Sequence, residues 1–331
     1  MGSFSGRNVL VTGADGFIGS HLVERLLREG AEVRAFCAYN PNGSFGWLDE
    51  LADDQLARVD VRLGDIRDRR FVANAVRDTE IVFHLAALIA IPYSFDAPES
   101  YVETNIRGTL NVLESVRDAR EVQMIHTSTS EVYGTPETIP ITEGHRLRGQ
   151  SPYAATKIAA DQMCEAYART YGTNVVTLRP FNTYGPRQSA RAVIPTILGQ
   201  LLAGARQVRL GNLAPRRDLT FVEDTVDGFL AMAAARLSPG SLVQLGTGQT
   251  VSIGELFALC CEVTGSEAEV VTDKRRARPP AAEVDVLLSD PTKAGTLLNW
   301  RASWPLAKGL EETARWMRPR VDTRHATRYH V

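Results

Sequence analysis

Residues Val9–Leu22 read VLVTGADGFIGSHL: a β-branched run stops at Gly13, two more glycines follow at Gly16 and Gly19, and an amphipathic pattern begins. Small residues here let the chain turn tightly and bring its backbone close to an anion. At a helix N-terminus, unpaired N–H groups and the helix dipole favour negative charge. The spacing is G-x-x-G-x-x-G rather than G-x-G-x-x-G. Placed after an N-terminal strand and before a helix, it reads as a cradle for the pyrophosphate of a dinucleotide. With it comes the fold expectation, an α/β doubly wound parallel sheet of Rossmann type.

Working outward, the pattern repeats. AEVRAFC (31–37), RVDVRLGD (58–65), IVFHLAA (81–87), VQMIHTSTS (122–130) and NVVTLRPFN (174–182) read as strands. GSHLVERLLREG (19–30), NIRGTLNVLESVRDA (105–119) and AATKIAADQMCEAYARTYG (154–172) have helical periodicity between them. After Asn182, Gly, Pro and Arg become frequent and the elements shorten. The expected organisation is a cofactor domain over 1–182 and about 219–245, with a smaller substrate lobe over about 183–218 and 246–316. Residues 317–331 lack an apolar period and read as a frayed tail.

Composition excludes several classes. Of 331 residues 44% are hydrophobic, enough for a sizeable core, and a net charge of −2 offers no basic field for nucleic acid. Four cysteines at irregular spacing form neither a disulfide framework nor a zinc site, so no metal is expected. No apolar run is long enough to span a bilayer, and MGSFSGRNVLVTG enters the first strand without a signal segment. The expectation is a cytoplasmic protein without membrane partners.

Two further patterns carry chemistry. Tyr153 and Lys157 stand four apart in a helical stretch, and only four of the 37 basic residues are lysines. Roughly 0.1 Tyr-x-x-x-Lys pairs are expected by chance, so the pair is informative. On one helix face, an ammonium would stabilise phenolate and lower the tyrosine's pKa. That makes a base for a hydroxyl proton as hydride leaves the same carbon. Upstream, HTSTSE ends a strand in hydroxyls, Thr127, Ser128, Thr129 and Ser130, followed by Glu131. Strand C-termini of such sheets face the ligand crevice, although TSTSE could equally cap a turn. The acid that usually holds the NAD ribose at the end of the second strand is missing, with Cys37 near its place. No arginine in 35–57 would hold a 2′-phosphate; NAD is expected, with NADP as the alternative. Asp65 in GDIRD is a candidate for the adenine amino group, or a capped turn.

VTGADGFIGSHL, GDIRD, HLAA, STSEVYG, YAATK and RPFNTYGPR together resemble the extended short-chain dehydrogenase/reductases that modify nucleotide sugars, over the chain to about residue 316. Three longer stretches, from His84, Phe181 and Arg276, look most like nucleotide-sugar 4,6-dehydratases of the legionaminic acid type, acting on UDP-N-acetylglucosamine. The resemblance implies a redox pair Tyr153 and Lys157, a hydroxyl at Thr129, and Glu131 as the base for the C5 proton. Ser130 stands where many such enzymes carry the Asp that protonates the leaving hydroxyl; Ser-Glu also occurs in GDP-mannose 4,6-dehydratases. It implies NAD contacts at Gly13, Gly16, Phe17, Ile18 and Gly19, at Asp65 and Ile66, and at Leu85, Ala86 and Ala87. Asn182, Arg187, Arg191, Arg217 and Arg278 would bind the nucleotide diphosphate or nearby groups. The helices around 105–116 and 154–170 would form a four-helix homodimer interface. UDP-glucuronate decarboxylase, UDP-sugar 4-epimerase and a non-catalytic dinucleotide sensor are the alternatives, and His84 and His126 read as core.

Overall fold

The computed structural model describes residues 4–273, 276 and 283–321. Its central sheet uses β1 (Asn8–Thr12), β2 (Glu32–Ala38), β3 (Val59–Gly64), β4 (Ile81–His84), β5 (Gln123–Thr127) and β6 (Val175–Pro180). The smaller lobe contributes β7 (Asn182–Tyr184), β8 (Gln207–Leu210), β9 (Arg216–Arg217) and β10 (Leu219–Phe221) before β11 (Leu242–Leu245) returns to the sheet. The lobe closes with β12 (Val251–Ser252), β13 (Glu269–Thr272) and β14 (Val286–Leu287). The seven strands lie in the order β11-β6-β5-β4-β1-β2-β3, every neighbouring pair parallel.

Parallel pairing needs crossovers, and the helices cover both faces, which is why β1 and β4 are almost continuously apolar. The chain winds from β1 through β2 to β3, then crosses back to lay β4 on the other side of β1. That reversal opens a crevice at the C-terminal ends of β1 and β4. Helix Phe17–Arg28 packs on helix Val222–Ala234, and Arg25 joins Asp227 across them.

Helix Pro152–Tyr171 has clear stop signals. Ser151 caps it by accepting from the Ala154 amide at 3.1 Å, Pro152 occupies its first turn, and Gly172 closes it in the left-handed conformation. The helix expected from Asn105 differs. A π turn over Val102–Arg107 precedes the α-helix Gly108–Ala119. Its cause is Asn105, whose buried side-chain amide bonds both main-chain groups of Leu88 and the Thr156 hydroxyl. An α-helical turn gives way to an inward-turned side chain.

In the lobe, fully buried Asp218 accepts from Thr247, Gly248 and Ser289, knitting β9 to the loops beside it. Trp300 donates to the Asp224 carbonyl, Trp304 packs on Phe221, and Trp316 meets Trp47 edge-on. The last helix runs to Met317 and a 3-10 turn holds Arg318–Arg320, with Arg320 paired to Glu50. Order therefore extends past the tail boundary drawn at 317. Residues 322–331 lie outside the described residues.

Candidate active site

A cleft of about 1910 Å³ runs from the glycine loop to the lobe. That exceeds the space one drug-sized ligand needs, roughly 300–1,000 Å³, and leaves room for a dinucleotide beside a second large molecule.

At one end lies the glycine loop. Gly13 has φ +70°, and a Cβ there would stand 2.8 Å from the Ala86 nitrogen. A Cβ on Gly19 would come within 2.1 Å of the Gly13 carbonyl oxygen, so the helix can begin this close to the loop only with glycine. No side chain caps that helix N-terminus, leaving its first N–H groups for an anion. Phe17, Ile18, Ile66, Leu85 and Ala87 line the same end.

The acid absent from the end of β2 has a neighbour in its place. Asp15, from the glycine loop, accepts from the Ala38 amide at 3.3 Å. Burial raises its pKa. Burial, with the Asp15 charge adding to it, pushes the Cys37 thiol up to about 12, so Cys37 is an inert wall. Asp65 also lines the cleft, but Arg67 grips its carboxylate with both main-chain and guanidinium N–H groups and holds its pKa low. Its first role is thus a closed turn.

The catalytic candidates converge at the middle. Tyr153 and Lys157 come from the helix Pro152–Tyr171 and are both buried. Thr129 follows the end of β5, close enough to the Tyr153 hydroxyl for its own hydroxyl to lower the phenol's pKa. It also caps the 3-10 turn Ser130–Tyr133, accepting from the Glu131 amide at 3.3 Å. Glu131 on that turn is near enough for its charge to act on the phenol. Ser130, 1% exposed, lines the cleft beside it.

The expected charge relation needs correction. Lys157 Nζ donates to the Thr127 carbonyl at 2.7 Å. The Tyr153 pKa is pushed up by burial, with the Thr129 hydroxyl opposing and the Glu131 charge adding. Burial lowers the Lys157 pKa, opposed chiefly by Asp161. Lysine here acts first on the backbone of the catalytic segment.

Of the cations expected to hold a diphosphate, Arg191 and Arg217 line the lobe half of the cleft. Arg187 reaches the cleft, yet its Nη atoms bond Glu24 and Ser20 of the first helix. Arg278 lies outside the described residues, whereas Arg276, passed over in the sequence, lines the cleft. Asn182 Nδ2, Thr127 Oγ1 and Gln188 Oε1 are buried at its wall without a hydrogen-bond partner among the described residues. Polar atoms left so are costly unless a ligand satisfies them. Gln188 carried no signal in the sequence beyond its place after Gly-Pro-Arg. No group of three or more potential metal ligands occurs among the described residues. No helix among them is long and apolar enough to cross a membrane. His84 and His126 are core, His84 bonded to Thr12 and Thr109.

The glycine cradle and the uncapped helix terminus fit a dinucleotide. Comparison with known proteins agrees. The UDP-glucose 4-epimerase of Mycolicibacterium smegmatis is 32% identical over 93% of this chain and 98% of its own. The dTDP-glucose 4,6-dehydratase of an Actinoplanes species is 32% identical over 94% and 97%. DesIV, a dTDP-glucose 4,6-dehydratase of Streptomyces venezuelae solved with NAD bound, superposes with a TM-score of 0.82 at 30% identity, covering 95% of this chain and 97% of that one. NAD is the cofactor. The GDP-mannose 4,6 dehydratase family model matches residues 10–313, and the chain belongs to that family, within the NAD-dependent epimerase/dehydratase group of extended short-chain dehydrogenase/reductases.

Proposed function

We propose that the chain is a nucleotide-sugar 4,6-dehydratase taking an NDP-hexose or NDP-N-acetylhexosamine, UDP-N-acetylglucosamine foremost, to its 4-keto-6-deoxy product. One observation carries this reading: Glu131 shares a four-residue turn with the cap Thr129 and acts electrostatically on Tyr153. Oxidation at C4 needs the tyrosine, the hydroxyl and the cofactor. A carboxylate beside them is what an elimination adds.

Bound NAD supplies a reversible hydride acceptor. Tyr153, whose pKa burial raises, would first have to lose its own proton; as phenolate, assisted by Thr129, it would take the C4 hydroxyl proton as hydride leaves C4. The ketone acidifies C5–H, and Glu131 removes that proton. The C6–O bond breaks, and the hydroxyl departs as water with a proton from Glu131, Ser130 offering no acid of its own. C5 would then take up a solvent-derived proton while Tyr153 returns its own to solvent, and the cofactor's reversible hydride transfer would leave C6 as a methyl group with no net reduced nicotinamide. Asn182, Arg191, Arg217 and Arg276 would face the nucleotide diphosphate, guanidinium groups matching phosphate geometry. We assign the homodimer contact to the helices Gly108–Ala119 and Pro152–Tyr171.

A 4-epimerase is the second reading, favoured by the Mycolicibacterium smegmatis relative. Mass spectrometry of the protein with UDP-, dTDP- and GDP-sugars, UDP-glucuronate included, separates the two. Loss of one water, with deuterium from heavy water at C5 and a C6 methyl group, supports dehydration. Isomerisation at unchanged mass, or carbon dioxide released from the uronate, overturns it.

A further inference from the structure

We propose that Asp161 and Arg179 form a buried brace that sets the Thr129–Glu131 turn against Tyr153, and that they are positioning residues for the elimination step. The inference rests on the dehydratase reading above.

Arg179, from β6, is 2% exposed. Its Nη2 donates to Asp161 Oδ2 at 2.7 Å, its Nε to Ser128 Oγ at 3.2 Å and its Nη1 to the Tyr133 hydroxyl at 2.7 Å. The guanidinium also lies 4.8 Å over the Tyr133 ring. Asp161 sits on the tyrosine helix one turn beyond Lys157. It accepts from Ser128 Oγ at 2.6 Å and bonds the His126 ring at 3.1 Å.

Ser128 and Tyr133 are the two ends of the segment that carries Thr129 and Glu131. The pair therefore grips that segment on both sides and refers it to the helix bearing Tyr153. Tyr133 continues the brace outward: its hydroxyl donates to Gln244 Oε1 at 2.9 Å, and Gln244 Nε2 reaches the Asp290 carbonyl at 3.0 Å. A buried ion pair contributes little net stability over apolar packing of equal volume. The geometry it fixes is the better account of six polar side chains lying beneath a catalytic turn. Of these side chains only Ser128 lines the cleft, and the glycine loop that would hold the cofactor lies at the ends of β1 and β4.

Removing Asp161 or Arg179 would strand its partner's charge and endanger folding. Tyr133→Phe and Ser128→Ala each remove hydroxyl bonds without stranding a charge, and the double variant loosens both ends of the turn. In the holoenzyme it should lower kcat for water loss by roughly 10- to 100-fold, since misplacement by about 1 Å has that scale of cost. KM and NAD content should hold, and enzyme-bound reduced nicotinamide should accumulate, as it should in Glu131→Gln, because C4 oxidation then outpaces elimination. Wild-type kcat in the double variant overturns the brace, as does an equal loss in both steps without accumulation. If the wild-type enzyme oxidises C4 but releases no water, the dehydratase reading and this inference fall together. If it dehydrates and the double variant is unaffected, the inference falls alone.

Discussion

Lys157 Nζ and the main-chain oxygen of Thr127 are joined at 2.7 Å, so the tyrosine helix is pinned to the end of the central strand β5. The lysine has no room to spare at 4% exposure. A compact ammonium on a four-carbon stem reaches that carbonyl, while a planar guanidinium would need a wider slot. Lys157→Arg should remain folded by circular dichroism yet lose at least about 100-fold in kcat, a scale set by displacement of the catalytic groups. Near-wild-type turnover would show that only the positive charge matters.

Gly19 makes a second test. With the Gly13 oxygen 2.1 Å from the position a Cβ would take, Gly19→Ala must push the first helix away from the loop. The expected cost is about 1–3 kcal/mol of stability, as for other overpacked sites. Loss of co-purifying NAD should accompany it. Thermal denaturation and the absorbance of released cofactor read both.

His21 gives a pH dependence. Burial lowers its pKa from 6.5 to about 4. The ring is therefore neutral at pH 7, and its Nε2–H donates to the Pro186 carbonyl at 3.0 Å. A depressed folded-state pKa means that the unfolded chain binds the proton first. This contribution to stability is complete above pH 6.5 and is lost as pH falls toward 4. Urea titrations across that window should show a falling midpoint, and His21→Gln should flatten the slope.

Arg187→Ala tests what that arginine holds. Its guanidinium meets Glu24 at 2.9 Å and Ser20 at 3.3 Å, joining the cofactor helix to the Gly-Pro-Arg segment. Glu24 is partly exposed, which screens the pair, so the expected loss is only about 1 kcal/mol. NAD affinity should fall more than the nucleotide-sugar KM rises. The reverse order would return Arg187 to the diphosphate.

What could be read in the chain beforehand followed from its spacing. Gly13, Gly16 and Gly19 fall between a strand and a helix, and Tyr153 and Lys157 lie one turn apart. Thr129, Ser130 and Glu131 close a strand whose end faces the crevice. Each is a local pattern, because helix and strand periods place neighbours on known faces. Asn105 was not legible. The periodicity around it is helical, and only the cleft wall at Leu88 and the helix at Thr156 explain why the backbone opens into a π turn there. Asp65 was legible as a cleft residue but not as the partner of Arg67, since the direction of a side chain depends on what surrounds it.

The order of residues by itself determined the alternation of strand and helix, the anion cradle at the first turn and the set of groups able to move protons and hydride. Tertiary structure decided which of these meet. Arg187 found Glu24 across 163 positions, and Arg179 found Tyr133 across 46. Burial, in turn, raised Tyr153 and lowered Lys157. Local propensity acts over a few residues, whereas pairing and desolvation are properties of the packed sheet, and only the order β11-β6-β5-β4-β1-β2-β3 brings those partners within hydrogen-bonding distance.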